Sequence, residues 1–103
     1  MQVKICKSIF SKVRGLMFSK KKNLLFIFDT SSNVELHMLF VFFGVDAVFL
    51  NECWEILEIK HMKPFRPYYR SKHNVKYVLE LTEKHNLIVG DKVRIEDNEI
   101  YKI

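Results

Sequence analysis

Apolar and polar positions along this chain alternate mostly with the two-residue period of strands, and only one stretch follows the helical period. Gln2 to Lys7 alternates, with Val3 and Ile5 on one side, and predicts a first strand. Ser8 can cap a short helix in which Ile9, Val13, Leu16 and Met17 fall at i, i+4, i+7 and i+8 and share one face. Leu24 to Phe28 predicts a second strand, and Asp29-Thr30-Ser31-Ser32-Asn33 has the short hydrogen-bonding side chains of a loop. Leu36 to Phe43 and Val45 to Leu50 are apolar almost without alternation. Both faces of such strands must be covered, which predicts central strands bent or separated at Gly44.

Asn51-Glu52 suits a two-residue turn into a strand over Trp54 to Lys60. Val75 to Thr82 alternates cleanly, with Val75, Tyr77, Leu79 and Leu81 on one face and Lys76, Val78, Glu80 and Thr82 on the other. Glu80 is thereby expected opposite the core-facing set, at the surface and balanced by Lys76 or Lys92. Thr82 to Asn86 predicts one helical turn and Gly90-Asp91 a turn, while Asp97-Asn98 closes a hairpin between Val93 to Glu96 and Glu99 to Lys102. His61 to Asn74 is the long irregular stretch, where Pro64 and Pro67 bar a regular helix. The pattern predicts a mainly β (β-rich α+β) fold with one short N-terminal helix and one helical turn near 82–86.

A chain of 103 residues suits a single domain, 1–103, and a hydrophobic content of 49% with nine Phe excludes disorder as the dominant state. The longest apolar run, Met38 to Leu50, contains Asp46 and falls short of the roughly 20 apolar residues of a membrane span. Lys4 and Lys7 stand where a signal peptide would carry its apolar segment, so a cytoplasmic protein without a membrane partner is expected. Cys6 and Cys53 form no Cys-x-x-Cys pair and read as reduced.

The net charge of +5 is unevenly distributed. Residues 1 to 22 carry seven basic side chains and no acid, and a second acid-free basic segment runs from Lys60 to Lys76. Folded together they would make a cationic face that attracts phosphates; folded apart they are ordinary solvated surface.

Five segments in order resemble a known family: Arg14-Gly15-Leu16-Met17, Met38 with its apolar strand, Asp46 with Phe49-Leu50, Tyr77-Val78-Leu79-Glu80, and Gly90-Asp91. Over roughly residues 8 to 95 the chain is similar to the conserved family called domain of unknown function 192. The resemblance implies a compact, mostly antiparallel, barrel-like domain with a short helix near the N-terminus, and it supplies no function. Many members carry Trp-Met-Lys-Asn-Thr where this chain has His37-Met38-Leu39-Phe40-Val41, and Pro where it has Gly44, so chemistry that relies on those polar side chains is not carried over.

Asp46, a carboxylate inside an apolar run, needs a cation, backbone donors, solvent or a proton. Arg14 can meet that need through a bidentate pair or can bind an anionic ligand instead. Asp46 and Glu80 can divide acid and base roles if they open on one pocket. Pro64-Phe65-Arg66-Pro67-Tyr68-Tyr69-Arg70 interleaves rings and cations, a composition suited to stacked bases or a sugar-phosphate, and equally to a loop whose rings tuck under the domain. His37, His61, His73 and His85 lack metal-ligand spacing, although His61 and His73 both border that loop. Glycine-rich phosphate cradles are missing, which excludes a nucleotide hydrolase of the P-loop type.

The expected function is a non-enzymatic binding module for a small polar or anionic ligand, a sugar included, with Arg14, Asp46, Glu80, Arg66, Tyr68 and Arg70 as candidate binding residues and no cofactor or metal. One alternative is RNA or single-stranded nucleic-acid binding through segments 1–22 and 60–76. The other is an enzyme that uses Asp46 and Glu80.

Overall fold

A computed structural model gives the structure over residues 1–6, 23–32, 35–36, 44–63 and 69–103. Within these the chain forms β1 (Lys4–Cys6), β2 (Leu24–Ser32), β3 (Glu35–Leu36), β4 (Val45–Leu50), β5 (Ile56–Met62), β6 (Tyr69–Arg70), β7 (Val75–Leu81), β8 (Val93–Glu96) and β9 (Glu99–Lys102). Five of them make one sheet in the order β1-β2-β7-β4-β5, with β1 parallel to β2 and every other pair antiparallel. β3 pairs with β6, and β8 with β9, in separate ladders. The protein is mainly β. Among the described residues the sheet is not closed into a barrel: the β8–β9 hairpin reaches the two edges only by single bridges, Gln2 with Glu99 beside β1 and Glu55 with Lys92 beside β5, and no continuous ladder joins them. The expected helix over residues 8–17 and most of the expected strand Leu36 to Phe43 lie outside the described residues.

The apolar run does place β4 centrally, between β7 and β5. Its side chains alternate between two buried clusters. Val45, Ala47 and Phe49 pack with Leu24, Phe26, Met62 and Val78 on one face, and Val48 and Leu50 pack with Leu25, Leu79 and Leu81 on the other. The second face is covered by Leu87 and by Val93 and Ile100 of the β8–β9 hairpin. A strand enclosed this way has no need of polar alternation.

Local readings fail where tertiary pairing overrides them. β2 runs on through Ser32, because Ser32 pairs with Val75 after a register irregularity that begins beyond Ile27. Asp29 to Ser32, despite their loop chemistry, therefore lie on a strand. Thr82 to Asn86 forms no helical turn: the Thr82 amide and hydroxyl both donate to Asn23 Oδ1, at 2.9 and 3.2 Å, which ties the segment to the start of β2. The β4–β5 connection is longer than two residues, with Asn51 Oδ1 accepting the Cys53 and Glu55 amides and Trp54 at φ 62°. The Asp97-Asn98 turn is as expected, both residues adopting positive φ (49° and 61°) between β8 and β9.

Candidate functional site

Asp46 is the second residue of β4, where the strand leaves the buried part of the sheet; Asp46 pairs with His61 of β5 on one side and Leu81 of β7 on the other. Cross-strand partners share a face, so the β4–β5 register brings the His61 ring beside Asp46. His61 Nδ1 lies 2.7 Å from Asp46 Oδ1, and His85 Nε2, from the segment after β7, lies 2.7 Å from Oδ2. One carboxylate thus bridges two imidazoles.

The protons on these rings follow from their other contacts. His85 Nδ1 accepts the Leu87 amide at 3.2 Å, so the proton of neutral His85 is on Nε2 and is donated to Asp46. Asp46 is then an acceptor to both rings, and His61 donates from Nδ1, which leaves its Nε2 as the nitrogen unused among the described residues. Burial pushes the Asp46 carboxyl up, but the hydrogen bonds from His61 and His85 and the charge of both rings outweigh it and hold the carboxyl below its ordinary value. The two histidines differ in access, with the His85 side chain 8% exposed and that of His61 63% exposed.

His61 borders a cleft of about 200 Å³ lined by Gly44, Asp46 and the run Leu81 to Lys84. A Cβ on Gly44 would stand 3.2 Å from His61 Cε1 and 3.4 Å from Nε2, so glycine leaves room for the ring edge that carries the unused nitrogen. The volume corresponds to roughly seven waters, enough for a small polar molecule and too little for a nucleotide. A larger groove of about 370 Å³ lies at the β1 edge, by the start of β2, among Gln2, Val3, Lys4, Asn23, Asp97 and Asn98. Several of its polar groups hold strands together, as in Val3 N–H to Asn98 O and Asn23 Nδ2 to Gln2 O, and among the described residues it contains no counterpart of the positioned imidazole in the smaller cleft.

Glu80 does not join this site. It pairs with Ala47, on the face opposite the one that Asp46 shares with Leu81. The two carboxylates therefore do not open on one pocket, the arrangement a shared acid–base role requires. Nor is Glu80 at the surface: it is 5% exposed, because β7 is as central as β4, and burial pushes its carboxyl up to about 8. Glu58 of β5 is also buried, but it accepts the Tyr69 hydroxyl at 2.7 Å, the Lys72 amide at 2.7 Å, and the His73 amide and Nδ1 at 3.2 Å each. Burial raises the Glu58 carboxyl, and these donors together bring it below its ordinary value.

Arg14, Arg66 and Tyr68 lie outside the described residues. Arg70 is exposed on β6, paired with Glu35. Of the described basic residues, Lys4 lies on the edge strand β1 and Lys60 on the opposite edge strand β5, while Lys76 lies on the central strand β7. His61 and His85 were missed as partners of Asp46. His61 was within reach of sequence reasoning, since an antiparallel β4–β5 pair around a connection near residue 53 places it opposite Asp46; His85 carried no such signal. Among the described residues no group of three His, Cys, Asp or Glu side chains is arranged to hold a metal ion. No helix there is long and apolar enough to cross a membrane.

The fold and the site define a small, mainly β domain with a carboxylate-bridged histidine pair where its central strands end. The chain belongs to the family DUF192, described as "Uncharacterized ACR", whose pattern it matches over residues 1–95. A UPF0127 protein of Thermococcus sibiricus is 30% identical over 106 aligned positions, spanning 95% of this chain and 68% of its own length. Two crystal structures share the fold with a TM-score of 0.72 and coverage of 78% of this chain: a protein from Sinorhizobium meliloti, 24% identical with 67% of its chain covered, and a protein of unknown function from Novosphingobium aromaticivorans, 15% identical with 61% covered.

Proposed function

We propose that this protein is a binding module for a small polar or anionic ligand, seated in the cleft beside His61. The observation that carries the reading is the His61 ring, held by Asp46 at 2.7 Å, whose other nitrogen has no partner among the described residues and whose side chain is largely exposed at the cleft. A hydrogen bond to a positioned imidazole loses less side-chain freedom than one to a mobile side chain, which favours binding there. Thr82 and Lys84 add a hydroxyl and a cation to the lining, both groups that recognise oxygen-rich ligands. The free, exposed Cys53 supports a cytoplasmic setting.

Chemical-shift mapping with phosphate, acetate and glucose at millimolar concentration tests the reading. The expected result is saturable shifts at Gly44, His61 and Thr82 to Lys84. Shifts absent for all probes, or centred on the Lys4–Asn98 groove, would reject it.

A further inference from the structure

We propose that the ligand of this cleft is a small oxyanion and that its binding is coupled to the uptake of one proton by His61, an inference that rests on the binding reading above. Among the described residues four ionisable groups line the cleft: Asp46 from β4, His61 from β5, and Glu83 and Lys84 from the segment after β7. With His61 neutral they sum to one negative charge, two carboxylates against one ammonium. The nitrogen at the cleft is then a lone pair, so an anion meets an acceptor at the ring, and the Lys84 ammonium is outnumbered by the two carboxylates. Protonation of His61 at Nε2 changes both conditions at once. The sum becomes zero, and Nε2–H becomes a donor that can make a charge-assisted bond to an oxyanion oxygen.

The surroundings favour protonation at His61 rather than at its neighbour. His61 Nδ1 already donates to Asp46, so a second proton goes to Nε2 without breaking any contact among the described residues. On His85 a second proton costs a contact. Its Nδ1 accepts the Leu87 amide, and a proton there would set two donors against each other in a side chain that is 8% exposed. His85 therefore fixes the carboxylate while His61 carries the change of charge. Linkage requires the converse as well: a bound oxyanion shifts the titration of the His61 ring to higher pH.

Sulfate is a suitable probe, because it remains a dianion across the interval in which histidines change charge, about pH 5.5 to about pH 8. Titration calorimetry in buffers of different ionisation enthalpy is expected to show binding at least tenfold tighter at the acid end, with uptake of about one proton per sulfate. His61→Gln should flatten the pH dependence. His73→Gln, which alters an imidazole outside the cleft, should retain it, and amide spectra of both variants confirm that they fold. Sulfate binding without pH dependence, or equally pH-dependent in His61→Gln, overturns the proton coupling and leaves the binding reading standing. Glucose bound at the cleft without sulfate overturns the oxyanion class alone. No binding of sulfate, acetate or glucose at either pH overturns both.

Discussion

Glu80 stands directly across the β4–β7 ladder from Ala47, the only alanine in the chain, with Leu24 on its other side. The carboxyl is thus set between a 0% exposed and a 1% exposed neighbour, and burial alone moves it from its ordinary 4.5 to about 8. Between those two pH values the folded protein holds a proton that the unfolded chain has released, so Glu80 makes stability fall as pH rises through the window. Glu80→Gln, which carries no titrating proton, is expected to gain on the wild type by about 2–5 kcal/mol between pH 5 and pH 9. Urea denaturation at the two pH values measures the gap, and parallel stabilities would refute the assignment.

Asp46 has the opposite sign. Its carboxyl is held below the ordinary 3.8, so its contribution to stability is present above that value and is lost as pH falls through it toward the lower folded value. Asp46→Asn keeps the shape and offers one acceptor where two rings donate. His85 cannot reverse its tautomer, because the Leu87 amide occupies Nδ1; the mismatch therefore falls on exposed His61, whose ring is free to turn away. The expected cost is about 1–2 kcal/mol at pH 7, closing below about pH 4, read from denaturant midpoints across that range. A gap that widens below pH 4 would contradict the ionised, doubly accepting carboxylate.

The contrast between these two acids shows what was legible in the chain. The centrality of β4 followed from its unbroken apolar run, and the β8–β9 hairpin from Asp97-Asn98 between two alternating segments, because both signals are local. Glu80 was misplaced because alternation on β7 reads as a half-exposed strand, whereas β7 has a strand on each side and a covered surface above and below. Asp29 to Ser32 have turn chemistry and still continue β2, since Ser32 pairs with Val75, which lies far along the chain. Asp46 was rightly singled out as a charge needing a partner. Its partners were unreadable as a pair, because His61 arrives through strand register and His85 through a segment that Asn23 pins by the Thr82 amide.

Asn51 holds the β4–β5 connection by its side-chain oxygen, which accepts the Cys53 amide at 2.8 Å and the Glu55 amide at 3.0 Å. This supports Trp54 at positive φ, an unfavourable backbone for a bulky residue, where its ring stacks on Tyr77 with 3.7 Å between centroids. Asn51→Ala removes the acceptor and is expected to destabilise the fold by about 1–2 kcal/mol. Trp54 is the only tryptophan, so its fluorescence reports the site directly: the emission should shift to the red in the folded variant as the stack loosens. Unchanged emission and stability would show that the turn does not depend on Asn51.

Gly44 tests whether the position of His61 matters independently of its chemistry. The added methyl of Gly44→Ala would meet His61 Cε1 at 3.2 Å and Nε2 at 3.4 Å, both at the edge of a ring that is largely exposed and so able to move. The fold should therefore survive with a change below about 1 kcal/mol. The ring, however, must give by a few tenths of an ångström, and it can do so only by straining or lengthening the 2.7 Å bond to Asp46 Oδ1. His85 lies on the other carboxylate oxygen and should keep its contact. Nitrogen-15 spectra of the imidazoles are expected to show a mixture of tautomers at His61 and an unchanged Nε2–H form at His85. Probe binding at the cleft should weaken with the first change and ignore the second. If instead both rings keep their wild-type spectra while binding is lost, the methyl acts by filling the cleft, and the placement of His61 by Asp46 is not what the ligand reads.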